Sequence, residues 1–114
     1  MDSILTSTKK LALVYADCTD FDDTIVAYIN SVFFVLRQLG VGPSAGFVIT
    51  DKSEIWSDFI PDDVVLREAV KSYMAAKVRL QFDPPSSSVH LQALNSIVSE
   101  FEWRLNADAE TPIQ

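Results

Sequence analysis

The sequence predicts an all-α domain, a small bundle of about five helices with one long glycine-containing loop. Apolar residues recur at alternating spacings of three and four in both the N-terminal and the C-terminal half, the period of a helix with one buried face. All three glycines fall in a single segment, Gly40-Val41-Gly42-Pro43-Ser44-Ala45-Gly46, and a second break follows at Asp83-Pro84-Pro85-Ser86-Ser87-Ser88. Both segments join helix-stopping residues to turn-forming ones. With 114 residues there is room for one hydrophobic core and not for two ordinary domains.

Ser3 to about Val14 reads as a short helix with Ile4, Leu5, Leu11 and Val14 on its apolar side, followed by a connector from Ala16 to Thr19. Asp20 is then the expected N-cap, with Asp23 in the first turn where negative charge suits the helix dipole. Ile25, Ile29, Val32, Leu36 and Leu39 follow on one face, and Gly40 ends the helix as its C′ residue. Phe47-Val48-Ile49-Thr50 is β-prone and reads either as a short edge strand or as an extended loop arm. Ser53 is the expected cap of a short helix carrying Ile55, Trp56, Phe59 and Ile60, stopped by Pro61. Asp62 or Asp63 caps the next helix, whose face is Leu66, Val70, Tyr73, Lys77 and Leu80 with Ala69 and Ala76 beside it; Pro84-Pro85 closes it. The last helix opens at Ser86 to Ser88 and places Leu91, Leu94, Val98, Phe101 and Leu105 at heptad spacing. The pattern stops at Asn106, which divides the chain into a helical domain over 1–106 and a flexible tail over 107–114.

Composition narrows the function classes. Sixteen acidic residues face nine basic ones, a formal net charge of −7, with the bases scattered. Tight nucleic-acid binding rests on neutralising phosphates with Lys and Arg, so this balance argues against it. An acidic surface suits a wall that DNA slides past without sticking. No apolar run approaches the roughly 20 residues of a membrane span. The acidic opening Met1-Asp2-Ser3-Ile4-Leu5 lacks the basic region of a signal peptide, so a cytoplasmic product is expected. A single cysteine, Cys18, excludes an internal disulfide and a multi-thiolate zinc site.

The residues form no pattern that carries chemistry, and no catalytic, cofactor or metal site is expected. His90 has no Cys partner and no Ser-His-Asp order around it, and reads as a capping or surface histidine. Asp17, Asp20, Asp22 and Asp23 lack the Gly and bidentate Glu of a calcium loop; capping explains them. The glycine loop follows a helix and lacks the Gly-Lys-Ser/Thr ending of a phosphate cradle. The last helix carries Glu100 and Glu102 where a DNA-reading helix needs bases.

Some aromatic residues do not fit a lone monomer. Trp103 lies about 200° around its helix from Phe101, with Ser96, Ser99 and Glu100. Phe34 stands off its own stripe near Asn30, Arg37 and Gln38. Either helices pack on two sides of these elements, or the rings serve an intersubunit surface, where aromatics and Arg are enriched. The candidate interface residues are Phe34, Arg37, Phe47, Ile49, Trp56, Phe59 and Trp103.

Several motifs carry a resemblance. They are Thr8-Lys9-Lys10-Leu11, Asp20-Phe21-Asp22-Asp23, Tyr28-Ile29-Asn30-Ser31-Val32-Phe33 and Gln38-Leu39-Gly40-Val41-Gly42-Pro43. Trp56-Ser57-Asp58-Phe59, Lys77 through Pro85 and Glu100 through Asn106 complete the set. In this order the chain resembles the small head–tail connector (head-completion or adaptor) proteins of tailed bacteriophages, from Ser3 to Asn106. The resemblance implies an all-α subunit of a homo-oligomeric ring, commonly of twelve, under the portal protein at the capsid vertex. Such a ring extends the channel for packaged DNA without sequence-specific binding and receives the next neck component, a stopper or tail terminator. It implies a virion protein made in the bacterial host cytoplasm, with no membrane partner. By position it also implies that Phe101, Arg104, Leu105, Asn106 and Ile113 contact the portal. The loop Gly40 to Thr50 is expected at one end of the ring, against a neighbouring subunit or the next component. A different reading of the same composition is an acidic protein-binding module or regulator, a DNA mimic, which predicts a monomer or dimer.

Overall fold

Five helices succeed one another: α1 (Ile4–Leu11), α2 (Asp22–Gln38), α3 (Trp56–Phe59), α4 (Val64–Phe82) and α5 (Ser88–Glu110). The computed structural model describes residues 3–12, 20–82 and 84–110, the last three by their backbone alone. Among these residues there is no strand, and the all-α expectation holds. Helix α4 is the central element and packs against α1, α2 and α5.

Helix α1 opens on Ser3, whose Oγ accepts from the Thr6 N–H at 3.2 Å, and buries Ile4, Leu5, Thr8 and Lys9. Its N-terminal half is tied to the segment before α3. The Ile4 N–H donates to the Glu54 carbonyl at 3.0 Å, and Trp56 Nε1 donates to Ser7 Oγ at 2.7 Å. Leu11, expected in the core, is 53% exposed; it sits in the last turn, beside an open hollow between α4 and α5. Val14, the connector Ala16 to Thr19 and Cys18 lie outside the described residues.

The start of α2 falls one residue later than expected. Phe21, and not Asp20, occupies the N-cap, with no side-chain capping bond. The later start sets the Phe21 ring edge-on to Phe82 at 5.4 Å and turns Asp22 toward Lys9, whose Nζ it meets at 2.7 Å. Ile25, Ile29, Val32 and Leu36 are buried as the stripe predicts, joined by Phe33. At the far end Gly40 has φ +86°, its N–H donates to the Arg37 carbonyl, and the Val41 N–H donates to that of Leu36. That pair of bonds satisfies two carbonyls the helix end leaves open.

Phe47–Thr50 is an extended arm without a strand partner. Asn30 holds it by both functions of its amide: Nδ2 donates to the Ile49 carbonyl at 3.0 Å and Oδ1 accepts from the Ile49 N–H at 2.8 Å. Phe47 then packs with Phe33 and Phe59, centroids 5.1 and 5.3 Å away. Ser53 does not cap α3. Its N–H is turned to Asp51 Oδ1, and the N-cap position belongs to Ile55, whose N–H donates to Asp58 Oδ2. For α4, Asp63 is the cap: its Oδ1 accepts from the Leu66 N–H at 2.9 Å.

Two features of α4 and α5 depart from the single-face pattern. Val70, Tyr73, Met74, Ala75 and Val78 are buried in α4, because a helix touching three others needs a buried arc wider than one stripe. Lys77 stays at the edge, paired with Glu102 at 3.2 Å. In α5, Val98 and Leu105 are buried, while Leu91, Leu94 and Phe101 are half-buried. The helix continues through Ala107 to Glu110, where a flexible tail was expected from Ala107 onward. Alanine and glutamate are good helix formers, so turns can continue after the apolar pattern ends.

Candidate interaction surfaces

Four residues expected at the surface are core instead. Ile49, Trp56 and Phe59 are 2, 4 and 3% exposed, and Leu105 is 4% exposed. Trp56 and Phe59 belong to a helix of four residues, too short to give one face to the core and another to a partner. Phe33, Phe47, Trp56 and Phe59 form one packed aromatic group with the Ile49 arm beside it. Asn106, also expected at the portal, donates from Nδ2 to the Leu39 carbonyl at 3.2 Å and joins the end of α5 to that of α2. Ile113 lies outside the described residues.

Three of the open apolar surfaces among the described residues lie on or against α2 and α5. On the outer side of α2, Phe34 and Val48 are 57 and 66% exposed. With Arg37, Gly46 and Phe47 they line a hollow of about 260 Å³. Arg37 braces it by donating from Nε to the Ser44 carbonyl at 3.1 Å. The glycine loop is thereby held against α2, and its Gly42 approaches the Phe59 ring so closely that a Cβ would meet it at 2.4 Å.

On another side, α4, α5 and the end of α1 leave a groove that no single helix pattern announced. Leu11, Leu94, Ile97 and Phe101 form its walls, and Arg79 crosses its floor, shared by two adjoining hollows of about 270 and 410 Å³. His90 stands at the rim of the larger one, solvent-exposed in the first turn of α5. Arg79 Nε is buried without a hydrogen-bond acceptor, and no carboxylate pairs with the guanidinium among the described residues. The signal in the sequence was Ile97, a large apolar residue outside the Leu91, Leu94, Val98, Phe101 and Leu105 stripe of α5.

The third surface is Trp103, 70% exposed on α5. Glu100 and Arg104 flank it, paired to each other at 2.9 Å and both open to solvent. Among the described residues, no group of three or more His, Cys, Asp or Glu could hold a metal ion. Nor is any described helix long and apolar enough to cross a membrane.

The open surfaces fit a protein that meets other proteins, and comparison with known families decides which kind. A family model described as phage connector protein matches residues 4–112. The chain belongs to the phage connector protein family. Neither a curated protein nor a solved structure matches it. Membership makes this connector a structural component of the phage head–tail junction, hence of the virion, which associates with other head or tail components. The family match ends at residue 112 and so takes in all of α5, including Trp103 and the wall of the groove.

Proposed function

We propose that this connector is a non-catalytic ring subunit that sits under the portal, prolongs the DNA channel and offers a docking surface to the next neck component. The observation that carries this reading is the presence of unlike open apolar surfaces on one small subunit. Phe34 and Val48 stand on the outer side of α2, the groove lies between α4 and α5, and Trp103 projects from α5. A cyclic ring needs two different, complementary surfaces per subunit, and further partners above and below need more. Large exposed apolar areas on a protein of this size mark contact sites. The ring we favour has twelve subunits, as the family resemblance implies. The net charge of −7 supports a lumen that repels DNA phosphates.

The portal contact is assigned to the C-terminal end of α5 and the residues after it. Phe101 and Arg104 are accessible there, while buried Leu105 and the Asn106 bond to Leu39 fix the helix end in place. The test is co-purification with the portal protein, comparing the full chain with one cut after Asn106. That cut leaves Leu105 and the Asn106 bond intact. Loss of portal binding by the shortened chain and weaker binding by Arg104→Ala, each with the helical circular dichroism of the folded bundle, are the expected results; equal binding by both variants refutes the assignment.

A further inference from the structure

We infer that Trp103 of one copy inserts into the α4–α5 groove of the next copy and lies against its Arg79. This inference rests on the ring reading and names the surfaces that build the ring. Trp103 is the most exposed aromatic ring in the described chain, at 70%, and it has no ring partner within it.

A subunit cannot fill its own groove with this side chain. At 100° per residue, Trp103 stands about 120° around the α5 axis from Ile97, about 160° from Phe101 and about 180° from Leu94. The knob and the hole therefore point away from each other on opposite sides of the same helix. A second copy presents the knob toward the hole, which is the head-to-tail relation of a cyclic ring.

The chemistry of the two surfaces agrees. The groove is mostly apolar, with Ser72 and His90 among its lining, and Arg79 carries a buried Nε that lacks an acceptor. Its hollows of about 270 and 410 Å³ are roomy for an indole. Indole is the best ring for a cation–π contact, arginine is the cation most often found over one, and the contact strengthens when desolvated. Glu100 stands one turn from Trp103 on the same side of α5 and is 61% exposed, so the approaching surface also brings a carboxylate toward the guanidinium. Desolvated Trp and Arg in apolar pockets are the residues on which interface affinity concentrates.

The experiment uses the full chain with Cys18→Ser, with and without the portal protein. S99C, one turn from Trp103 on the same side of α5 and exposed, and I97C are prepared singly and treated with a short bismaleimide, so that the indole itself is kept. A mixture of the two single variants should give a cross-linked dimer, and neither variant alone should. The same protein carrying both substitutions should give a ladder of oligomers. W103A should raise the concentration for half-assembly about thirtyfold or more, and R79M about tenfold, each keeping the helical circular-dichroism spectrum. Trp103 fluorescence, read as the difference from W103F, should shift to the blue on assembly. Rings in electron micrographs without the mixed cross-link or the blue shift would overturn the inference and leave the ring standing. A cross-link formed by S99C alone would replace it with a two-fold contact. Absence of any oligomer, even on the portal, refutes both it and the ring.

Discussion

At the scale of single residues, the polar groups inside this connector are placed where two elements must be held at one spacing. Asn30 replaces the strand partner that the Ile49 arm lacks. Tyr73, fully buried on α4, donates its hydroxyl to Glu102 Oε2 on α5 at 2.7 Å, and Lys77 joins the same carboxylate. Burial, then the hydrogen bond to Glu102 and its charge, hold the Tyr73 hydroxyl well above its ordinary value. The sign of the pH effect follows. Unfolding frees a phenol that ionises near pH 10, whereas the folded one stays protonated, so above pH 10 the unfolded chain binds fewer protons and stability falls. Below that pH this contribution is fully present. Tyr73→Phe should cost about 1 kcal/mol at neutral pH, because Glu102 keeps Lys77. The gap should then close as the pH passes 10. Urea unfolding of both proteins from pH 7 to 11 measures this, and parallel curves throughout would show that the hydroxyl is not protected.

At the scale of elements, the glycine loop is the part most constrained by geometry. Gly42 has φ +88°, and a Cβ there would meet the Phe59 ring at 2.4 Å, inside the aromatic group. Gly46 has a similar φ of +93°, but its nearest neighbour would be Arg37 Cδ at 3.4 Å, on a side chain that can move. Gly42→Ala should therefore cost about 3 kcal/mol, backbone strain plus overpacking, and Gly46→Ala only about 1–2 kcal/mol of strain. Thermal unfolding compares them; equal losses would mean that the loop does not press on Phe59. The elements themselves were legible where one helix face did the burying. The α2 stripe, the Gly40 terminus and the proline end of α4 read directly from spacing and turn chemistry, while the α4 cap was narrowed to Asp62 or Asp63 and proved to be Asp63. Legibility fell where three helices met. Met74 and Val78 of α4 face neighbours from other parts of the chain, and Ser53 and Asp20 lost their expected caps to tertiary contacts made by Ile55 and Phe21. The same limit applied to the interaction surfaces. Exposure of Phe34 and Trp103 followed from the helical wheel, but burial of Ile49, Trp56 and Phe59 depended on a loop crossing back over α2.

At the scale of the whole molecule, a body of 43 × 35 × 20 Å carries a net charge of −7, so copies brought side by side repel one another. Screening sets how far that repulsion reaches. The Debye length is about 30 Å at 0.01 M salt, comparable with the width of a subunit, and about 10 Å at 0.1 M, where only charges near the contact still act. A contact built on an indole in an apolar groove is itself little weakened by salt, because its main contribution is the removal of apolar surface from water. Raising salt from 0.01 to 0.15 M should therefore remove more repulsion than attraction and strengthen self-association. An interface made of exposed ion pairs would do the opposite, since such pairs are screened as salt rises. Sedimentation velocity across that range, at one protein concentration, separates the two. Larger species at higher salt are expected. A steady fall in mass with salt would show that charge pairs hold the subunits together and would count against an apolar knob as the main contact.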